Sequence, residues 1–437
     1  GGDNDRRPRD DRACDSVEPP QRDHGSLWPK SRQLERPQLR THYRSVVSDW
    51  ISAGEREALN APIEYAQGLP GRAYSEGFYA LEQEQLFPRA WAVVGVGADI
   101  PNPGDARAID LAATSLVMVR QRDGEIKIFH NQCRHRGMAV VTAFCERKQV
   151  LVCPWHGWVY ELSGALRTPT RVGGETTLVC NGFEPKELGL VQVRSARWHD
   201  WVFANLDGNA PEISDYLAPL DALLQGIDLD VLEPGEAWTG SYPGNWKLAV
   251  EGGVEDYHLP MAHPQLFNGV SSRGCSIATG SCFSATIGEP VRSAPVGRPS
   301  SIEGVPMRAD QRGRSFVVNV FPTGILLLHE NWLMLGLFTP DGHQRTRIQT
   351  RLYFHPTAFG DGERDAWRKA RAQALAEIVE QDHAFVRAVH NNAAARDRAG
   401  IATRFSPYWE GAVLHFQRLV IATLDQGGSA CTSRETK

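Results

Sequence analysis

Short apolar runs broken by Gly, Pro and Asp dominate residues 91–205, a pattern typical of strands joined by tight turns. The stretch SLVMVRQRDGEIKIFHN predicts a hairpin that turns at Asp123-Gly124, because this dipeptide tolerates the backbone of a short β-turn. Upstream, LPGRAYSEGFYALEQEQLFPRAWAVVG predicts a capped helix from Ser75 to Phe87 and then a strand. We therefore expect this part of the chain to be mostly β.

The pattern changes to a helical period in DAWRKARAQALAEIVEQDHAFVRAVHNNAAARD, which predicts one long helix. Ile378, Asp382, Phe385 and Val389 recur at i, i+4, i+7 and i+11 and form an apolar stripe with an acid in it. A carboxylate on a buried stripe is costly unless it is paired or binds a metal. Asp382 is therefore a candidate ligand, whereas Glu380 lies on another face and is expected to be solvated.

Residues 1–60 are rich in charges of both signs and poor in aliphatic residues, so they predict a polar tail, with a short helix near VVSDWISAGEREALN. The remaining length favours two domains, with expected bounds of 61–235, including an N-terminal helix, and 236–427. Residues 428–437 are expected to be a second tail. Hydrophobic residues make up 41% of the chain and charged residues 23%, which indicates an ordinary globular protein.

The net charge of −5, without a basic stripe interleaved with aromatics, disfavours a nucleic-acid partner. No apolar run approaches the ~18 residues that a membrane span requires. The first residues contain no apolar h-region of a secretory signal, which favours a cytoplasmic location. The segment GVGADI lacks the third glycine and the helix of a dinucleotide fingerprint.

Two Cys-His pairs stand at the ends of apolar runs. Cys133 and His135 follow IKIFH, and Cys153 and His156 follow VLV, with 17 residues between the two pairs. Each pair is expected to occupy a corner where a strand ends in a loop, and the two loops are expected to face each other. The four side chains are then candidate metal ligands.

Two Cys and two His suit either a zinc ion or a [2Fe–2S] cluster in which two His replace two Cys on one iron. Zinc sites favour two thiolates from one corner, whereas here each corner offers one Cys and one His. This division lets two thiolates hold one iron and two imidazoles hold the other. Gly137 and Gly157 follow the pairs and permit a tight backbone. The pattern favours a Rieske cluster, and zinc is the alternative.

A second group of candidate ligands lies in NWKLAVEGGVEDYHLPMAHP. Glu255 and His258 are three residues apart and would share one face of a helix. His258 and His263 are five apart, and Pro260 between them predicts a bend or a helix end after which the two imidazoles can converge. Non-haem iron oxygenases use two His and one carboxylate on one side of the metal. Asp382 is the candidate third ligand.

The stretches NQCRHRG, CPWHGWVYELSGAL, NWKLAVEGGVEDYHLPMAHP and EIVEQDHAF resemble the Rieske non-haem iron oxygenases, the family of aromatic ring-hydroxylating dioxygenase alpha subunits. The likeness runs from about residue 69 to about residue 424. It implies an α+β fold, in which an antiparallel β Rieske [2Fe–2S] domain is followed by a helix-grip (START-like) catalytic domain. The stretch FVVNVFPTGILLLHENWLMLGLFTPDGHQRTRIQTRLYFHP fits the catalytic sheet, with a turn at Asp341-Gly342.

The resemblance also implies the roles of individual residues, carried over where the motifs match. The implied cluster ligands are Cys133 and Cys153 on one iron and His135 and His156 on the other. The implied ligands of a mononuclear Fe(II) are His258, His263 and Asp382.

Glu255 matches the family's bridging acid, which links a cluster His of one subunit to an iron His of its neighbour and so implies a homotrimer. A carboxylate that accepts hydrogen bonds from two imidazoles would fix both rings. Asp256 is the other acid at this place, and the distance to His258 favours Glu255. Many relatives carry Asn where Gly252 follows Glu251 here, so this chain lacks an amide near the iron.

The family implies a terminal oxygenase that takes O2 and electrons, originally from NAD(P)H, through a separate flavin or ferredoxin-type reductase. The glutamate at the bridging position and the tail RFSPYWEGAVLHFQRLV resemble the group that acts on quaternary amines and lacks a beta subunit. Hydroxylation or oxidative demethylation of such an amine is expected, with Trp332, Phe267 and Phe283 as candidates for an aromatic cage or simply for the core. The alternatives are aromatic ring dihydroxylation, a Rieske electron-transfer protein without oxygenase activity, and a zinc-containing scaffold.

Overall fold

The computed structural model describes residues 46–178, 180, 182–266, 274–289 and 299–426. Its α-helices are α1 Ala53–Asn60, α2 Glu76–Gln85, α3 Ile213–Leu223, α4 Trp246–Gly253, α5 Leu259–Ala262, α6 Gly362–Arg398 and α7 Gly411–Asp425. The strands of the first half are β1 Ala92–Val96, β2 Ala106–Leu111, β3 Thr114–Arg120, β4 Ile126–His130, β5 Phe144–Cys145, β6 Val150–Val152, β7 Val159–Glu161, β8 Leu166–Thr168, β9 Gln192–Trp198 and β10 Trp201–Asn205. The strands of the second half are β11 Glu233–Tyr242, β12 Cys275–Gly280, β13 Phe283–Gly288, β14 Ser315–Val320, β15 Gly324–His329, β16 Trp332–Pro340 and β17 Thr346–Phe354.

The first domain is built from two antiparallel sheets. The larger has the order β1-β10-β9-β4-β3-β2-β5, and the smaller consists of β6, β7 and β8. The predicted hairpin is confirmed: β3 pairs with β4, with Met118 opposite Ile128, and Gly124 in its turn has a φ of +91°. The two Cys-His loops follow β4 and β6, so each sheet contributes one of them.

The second domain is a seven-stranded antiparallel sheet with the order β11-β17-β16-β15-β14-β13-β12. The predicted turn at Asp341-Gly342 joins β16 to β17. The predicted long helix is α6, 37 residues long, which packs against β11 and α4, while α7 packs against β12 and β13. A long helix held against a curved antiparallel sheet is the expected helix-grip arrangement, so the α+β fold class is confirmed.

The chain is packed from an earlier residue than the sequence pattern predicts. Residues 1–45 of the predicted tail lie outside the described residues, as does the predicted tail 428–437, but Val47, Ile51 and Leu59 are buried in the core. Helix α1 begins with a capping box in which Ser52 and Glu55 satisfy each other's backbone amides. The three buried apolar side chains pack this otherwise polar segment against the core, and the cap begins its helix.

The segment from 61 to 87 packs mainly on the second domain, although the expected domain bounds place it in the first. In α2, the Glu82 carboxylate lies 2.5 Å from Lys247 Nζ and accepts a 2.9 Å hydrogen bond from Trp246 Nε1. Arg72 lies 2.8 Å from Asp397 near the end of α6. These partners are more than 160 residues away in sequence, which is why periodicity could not reveal them.

Two polar contacts join the sheets of the two domains. The Tyr353 hydroxyl of β17 donates to Asp200 Oδ2 at 2.6 Å, and Arg351 Nη2 of the same strand lies 2.5 Å from Asp99 Oδ1. Asp200 lies in the β9–β10 turn and Asp99 follows β1. Strand β17, the neighbour of the edge strand β11 in the catalytic sheet, is thereby tied to the first domain.

The Glu82–Lys247 pair has no exposed side-chain surface, so its two charges depend on each other. We expect Lys247→Met to lower the free energy of unfolding by about 3–5 kcal/mol, because the Glu82 carboxylate is left buried without a counter-charge. Urea denaturation followed by circular dichroism measures this loss. The double variant Glu82→Gln/Lys247→Met should recover most of it, since no charge then remains buried, and equal losses in the two variants would contradict this account.

Candidate functional site

The two Cys-His loops have the same backbone conformation. In each, the glycine amide donates to the carbonyl of the cysteine four residues earlier, at 2.8 Å from Gly137 to Cys133 and at 3.0 Å from Gly157 to Cys153. The two glycines have φ values of +76° and +70°, a region in which a side chain causes strain. The predicted need for glycine behind each pair is therefore confirmed.

The loops place two imidazoles side by side at the surface above two buried thiols. His135 Nδ1 lies 3.2 Å from His156 Nδ1, while Cys133 and Cys153 are each 2% exposed. Two nitrogens at ~2.0–2.1 Å from one tetrahedral metal would lie about 3.3 Å apart. A pair of nitrogens outside and a pair of sulfurs inside is the division that a Rieske cluster requires, so the four residues fit this group.

Tyr160 is a neighbour of the sulfur side that sequence reasoning missed. Its hydroxyl lies 3.2 Å from Cys133 Sγ and accepts a 3.0 Å hydrogen bond from the amide of Arg134. Because an amide can only donate, the hydroxyl hydrogen is left for the sulfur. Burial raises the pKa of Tyr160, and burial also raises the pKa of the Cys153 thiol.

His258, His263 and Asp382 form the second group, and their ligand atoms all lie within 4.8 Å of one another. Asp382 Oδ1 lies 3.0 Å from His263 Nε2 and 3.8 Å from His258 Nε2. His263 Nε2 is nevertheless buried without a hydrogen-bond partner, because its approach to the carboxylate is not aligned as a hydrogen bond. A metal ion between the three atoms would satisfy this nitrogen, so the residues fit a two-His, one-carboxylate iron site.

The backbone that brings the histidines together differs from the prediction of a shared helix face. Helix α4 ends at Gly253, before Glu255, and His258 is the N-cap of the single-turn helix α5, which His263 ends. Pro260 lies in the first turn of α5, where its missing amide costs nothing. The predicted convergence is confirmed, with ring centroids 5.3 Å apart, but it arises across one helical turn rather than after a bend.

Each histidine of the second group is held by an oxygen on its other ring nitrogen. Glu255 Oε1 lies 2.5 Å from His258 Nδ1, and Gln381 Oε1 lies 2.7 Å from His263 Nδ1. Gln265 also donates to Gln381 Oε1 at 2.8 Å, which identifies that atom as the acceptor. Both Nδ1 atoms therefore carry hydrogen, and both Nε2 atoms face Asp382.

Burial and neighbouring charges have opposite effects on the pKa values of His258 and Asp382. Burial lowers the pKa of His258, but the hydrogen bond and charge of Glu255 outweigh it and the pKa is raised. Burial raises the pKa of Asp382, against the opposing effect of His258 and His263. Tyr242 adds a weak hydrogen bond from its hydroxyl to Asp382 Oδ2 at 3.4 Å.

The stripe on α6 is less buried than its apolar pattern predicts. Phe385 is 55% exposed and Val389 is 54% exposed, whereas Asp382 is half-buried. These two side chains form part of the wall of a cavity rather than of the core. The exposed Glu380 lies on another face, as predicted.

The cavity beside the second group has a volume of about 320 Å³. Its polar lining consists of Tyr242, Glu251, Glu255, His258, Asp382 and Glu410, and its apolar lining includes Leu248, Met261, Phe385, Val386 and Val413. No Lys or Arg lines it among the described residues. The cavity is therefore apolar with an excess of carboxylates.

Trp332 and Phe283, two of the three residues proposed for an aromatic cage, do not line this cavity. Trp332 is 6% exposed and stacks on His329, and Phe283 is 3% exposed in the core of the sheet. Phe267 lies outside the described residues. The core alternative is thus correct for Trp332 and Phe283, and the aromatic rings at the cavity belong to Tyr242 and Phe385.

Gly252 lies in the cavity wall. Nothing lies within 4 Å of the position that a Cβ would take there, so the glycine leaves open space. Glu251, its neighbour, is a cavity residue that sequence reasoning did not select. Its Oε1 accepts hydrogen bonds from Tyr74 Oη at 3.1 Å and Gln417 Nε2 at 2.9 Å.

Comparisons with known proteins agree with this architecture. A family model described as the Rieske [2Fe-2S] domain matches residues 90–177, and one described as the ring hydroxylating alpha subunit catalytic domain matches residues 229–426. A Rieske domain joined to a helix-grip catalytic domain defines the class of Rieske non-haem iron oxygenases. The chain belongs to the ring-hydroxylating alpha-subunit family.

Curated relatives include two different kinds of oxygenase. The chain is 33% identical over 228 residues to the biphenyl dioxygenase subunit alpha of Metapseudomonas furukawaii, covering 49% of each protein. It is 32% identical over 228 residues to the glycine betaine monooxygenase oxygenase subunit of Chromohalobacter salexigens, covering 51% of this chain and 50% of that protein. Each alignment thus spans about half of the curated relative.

Solved structures share the fold over most of the chain. The quaternary ammonium Rieske monooxygenase CntA in complex with L-carnitine gives a TM-score of 0.67 at 21% identity, over 84% of this chain and 98% of that one. Naphthalene 1,2-dioxygenase with indole bound gives 0.65 at 19% identity, over 85% and 97%. In the described part of the chain, no helix is both long and apolar enough for a membrane crossing.

Gln381 is expected to affect metal affinity indirectly, because its side-chain oxygen contacts His263 and not the metal position. Gln381→Leu removes the acceptor of His263 Nδ1, so the fully buried ring loses its fixed orientation and tautomer. We expect a 10- to 100-fold loss of Fe(II) affinity in metal-depleted protein, measured by titration. Glu380→Gln, at the exposed neighbouring position, is the matched control, and equal affinities in the two variants would contradict the role of Gln381.

Proposed function

We propose that the protein is a terminal oxygenase that uses O2 and electrons from a separate reductase to hydroxylate or oxidatively demethylate a small quaternary amine. The observation that carries the proposal is the presence of two donor sets in one chain, Cys2His2 in the first domain and His2Asp beside a cavity in the second. When bound, the cluster supplies single electrons and the mononuclear iron supplies activation of O2.

The ligand roles follow the geometry of each group. Cys133 and Cys153 would hold one iron of the cluster, and His135 and His156 would hold the other. His258, His263 and Asp382 would hold the mononuclear Fe(II).

Glu255 has the contact that a bridging acid needs on one side, because its carboxylate already binds His258 Nδ1. A second imidazole would come from the cluster of a neighbouring subunit in a homotrimer. Inter-subunit electron transfer is described for a quaternary ammonium Rieske monooxygenase that shares this fold, which supports the same arrangement for the present chain. Between the two acids of the motif, the contact with His258 favours Glu255 over Asp256.

The lining of the cavity supports a cationic substrate. Glu255, Asp382 and Glu410 line it, and the described lining supplies no side-chain ammonium or guanidinium group to balance them. The apolar wall suits methyl groups, and relatives named for glycine betaine and carnitine are 32% and 31% identical to the chain over 228 and 211 residues. A second candidate is aromatic ring dihydroxylation, which the apolar wall and the biphenyl dioxygenase relative favour. A pure electron carrier leaves the second donor set and the cavity without a role.

The metal content tests the two donor sets. Anaerobically purified protein is expected to hold about three irons and two acid-labile sulfides per chain and to give a Rieske EPR signal after reduction. His258→Ala should lose one iron and keep the signal, because it touches only the second group. His199→Ala is the control, since His199 pairs with Asp230 away from both groups and should keep all the iron.

Two irons in wild-type protein after reconstitution would favour the electron carrier, and zinc without sulfide would exclude both iron-based functions.

Glu410 offers a test of the substrate class. With a reductase, NAD(P)H and O2, Glu410→Gln is expected to raise KM for choline by up to about fivefold, since a half-buried ionic contact contributes up to about 1 kcal/mol. KM for the uncharged isostere 3,3-dimethylbutanol should stay unchanged. Product formation is measured by mass spectrometry. Turnover of biphenyl or naphthalene without turnover of choline, carnitine or glycine betaine would favour the aromatic alternative.

A further inference from the structure

The proposed reaction requires protons inside the cavity. Hydroxylation consumes one O2, two electrons from the reductase and two protons, and it yields the hydroxylated product and one water. Dihydroxylation of a ring consumes the same electrons and protons and places both oxygen atoms in the product. The need for a proton source thus rests on the proposed oxygenase function but not on the identity of its substrate.

The acidic groups of the cavity are not equally free to supply a proton. Asp382 lies against two histidines, and Glu255 is held by His258 and by backbone amides. The Tyr242 hydroxyl points at Asp382, and burial holds the pKa of Tyr242 well above its ordinary value. Glu410 accepts a 2.6 Å hydrogen bond from the amide of Ser406. Glu251 remains as the acid whose partners are neutral side chains.

The Glu251 carboxyl accepts hydrogen bonds through one of its two oxygens, and the residue lines the cavity. Tyr74 and Gln417 both donate to Oε1, so neither occupies Oε2, and Glu251 is part of the cavity wall. Neutral donors stabilise a carboxylate less than a charged partner does. The nearby Lys247 is already paired with Glu82 at 2.5 Å. A proton on Oε2 is therefore compatible with the hydrogen bonds that Oε1 accepts from Tyr74 and Gln417.

We propose that Glu251 is the proton donor of the cavity. The Oε2–H bond breaks as a new O–H bond forms on an oxygen atom that derives from O2, and the two electrons come from the reductase. The Glu251 carboxylate then takes up a proton from water and delivers it in the same way, so both protons of one turnover pass through this carboxyl. Tyr74 and Gln417 hold Oε1 in place throughout and leave the other carboxyl oxygen, Oε2, without a hydrogen bond from either of them.

The ionisation of Glu251 supports this role. Burial raises the pKa of Glu251 to about 7, although hydrogen bonds from Gln417 and Tyr74 and the charges of Lys247 and Arg396 act to lower it. A general acid is most effective when its pKa is near the working pH. The titratable groups that surround it from the neighbouring elements and across the cavity are Tyr74, Glu82, Lys247, Arg396, Glu255, His258, Asp382 and Glu410.

Glu251→Gln tests the proposal because the amide oxygen can still accept from Tyr74 and Gln417. With the complete enzyme and its reductase, we expect kcat at pH 7 to fall about 100-fold, the lower range for loss of a general acid. The wild-type kcat should fall as pH rises through about 7, since the protonated carboxyl is the active form. The variant should lack this decline. Glu377→Gln, on the exposed face of α6, is the control and should behave as wild type.

Infrared spectroscopy gives a readout that does not depend on turnover. In metal-free protein, the wild-type minus Glu251→Gln difference spectrum should contain a protonated carboxyl band that disappears as pH rises through about 7. Tyr74→Phe removes one donor to the charged form, so it should move both this midpoint and the kcat profile to higher pH. A role in packing alone would move neither.

The proposal is overturned if Glu251 is ionised throughout the range of about pH 5–8, or if Glu251→Gln retains the kcat and pH profile of the wild type. Failure of the wild-type protein to consume O2 with any substrate would instead overturn the proposed oxygenase function. The infrared measurement separates the two failures, because it reports on the Glu251 carboxyl in either case.

Discussion

Helix α6 lies against backbone at two glycines, and this close approach brings the second donor set together. A Cβ at Gly71 would overlap the carbonyl oxygen of Ala393, and a Cβ at Gly244 would lie 2.6 Å from Val386 Cγ1. Val386 is one turn of α6 beyond Asp382, and Ala393 is about three turns beyond it. Because a long helix is stiff, fixing it at these places holds the Asp382 carboxylate opposite α5, where it lies 3.0 Å from His263 Nε2.

The first donor set depends on a different constraint, which is local. Each Cys-His loop is closed by its own backbone hydrogen bonds and its own glycine, so the ligand geometry is encoded in a few consecutive residues. This is why the two Cys-His loops, and the convergence of their candidate ligands, could be predicted from spacing alone. Asp382 is 119 residues beyond His263, and its place on the apolar stripe of a predicted helix made it a candidate ligand before the resemblance of EIVEQDHAF to a known motif supported it.

What the sequence did not reveal is mostly long-range and polar. Gln381 was invisible because a neutral amide next to a predicted ligand has no pattern of its own, although its position beside Asp382 could have drawn attention to it. Glu251 stood in a quoted motif, but its importance depends on Tyr74 and Gln417, which lie on other elements. The packing of the first described residues on the second domain likewise depends on partners far along the chain, beyond the reach of helical or strand periodicity.

The wall residue Gly252 has a consequence for how this protein can change. It lies within α4 with a helical backbone, it faces the cavity, and a side chain there would meet nothing within 4 Å of its Cβ. An alanine there would add a methyl group to the cavity wall without touching any atom of the surrounding protein. Single nucleotide changes at this codon thus offer natural selection a route to new substrates that does not first have to compromise stability.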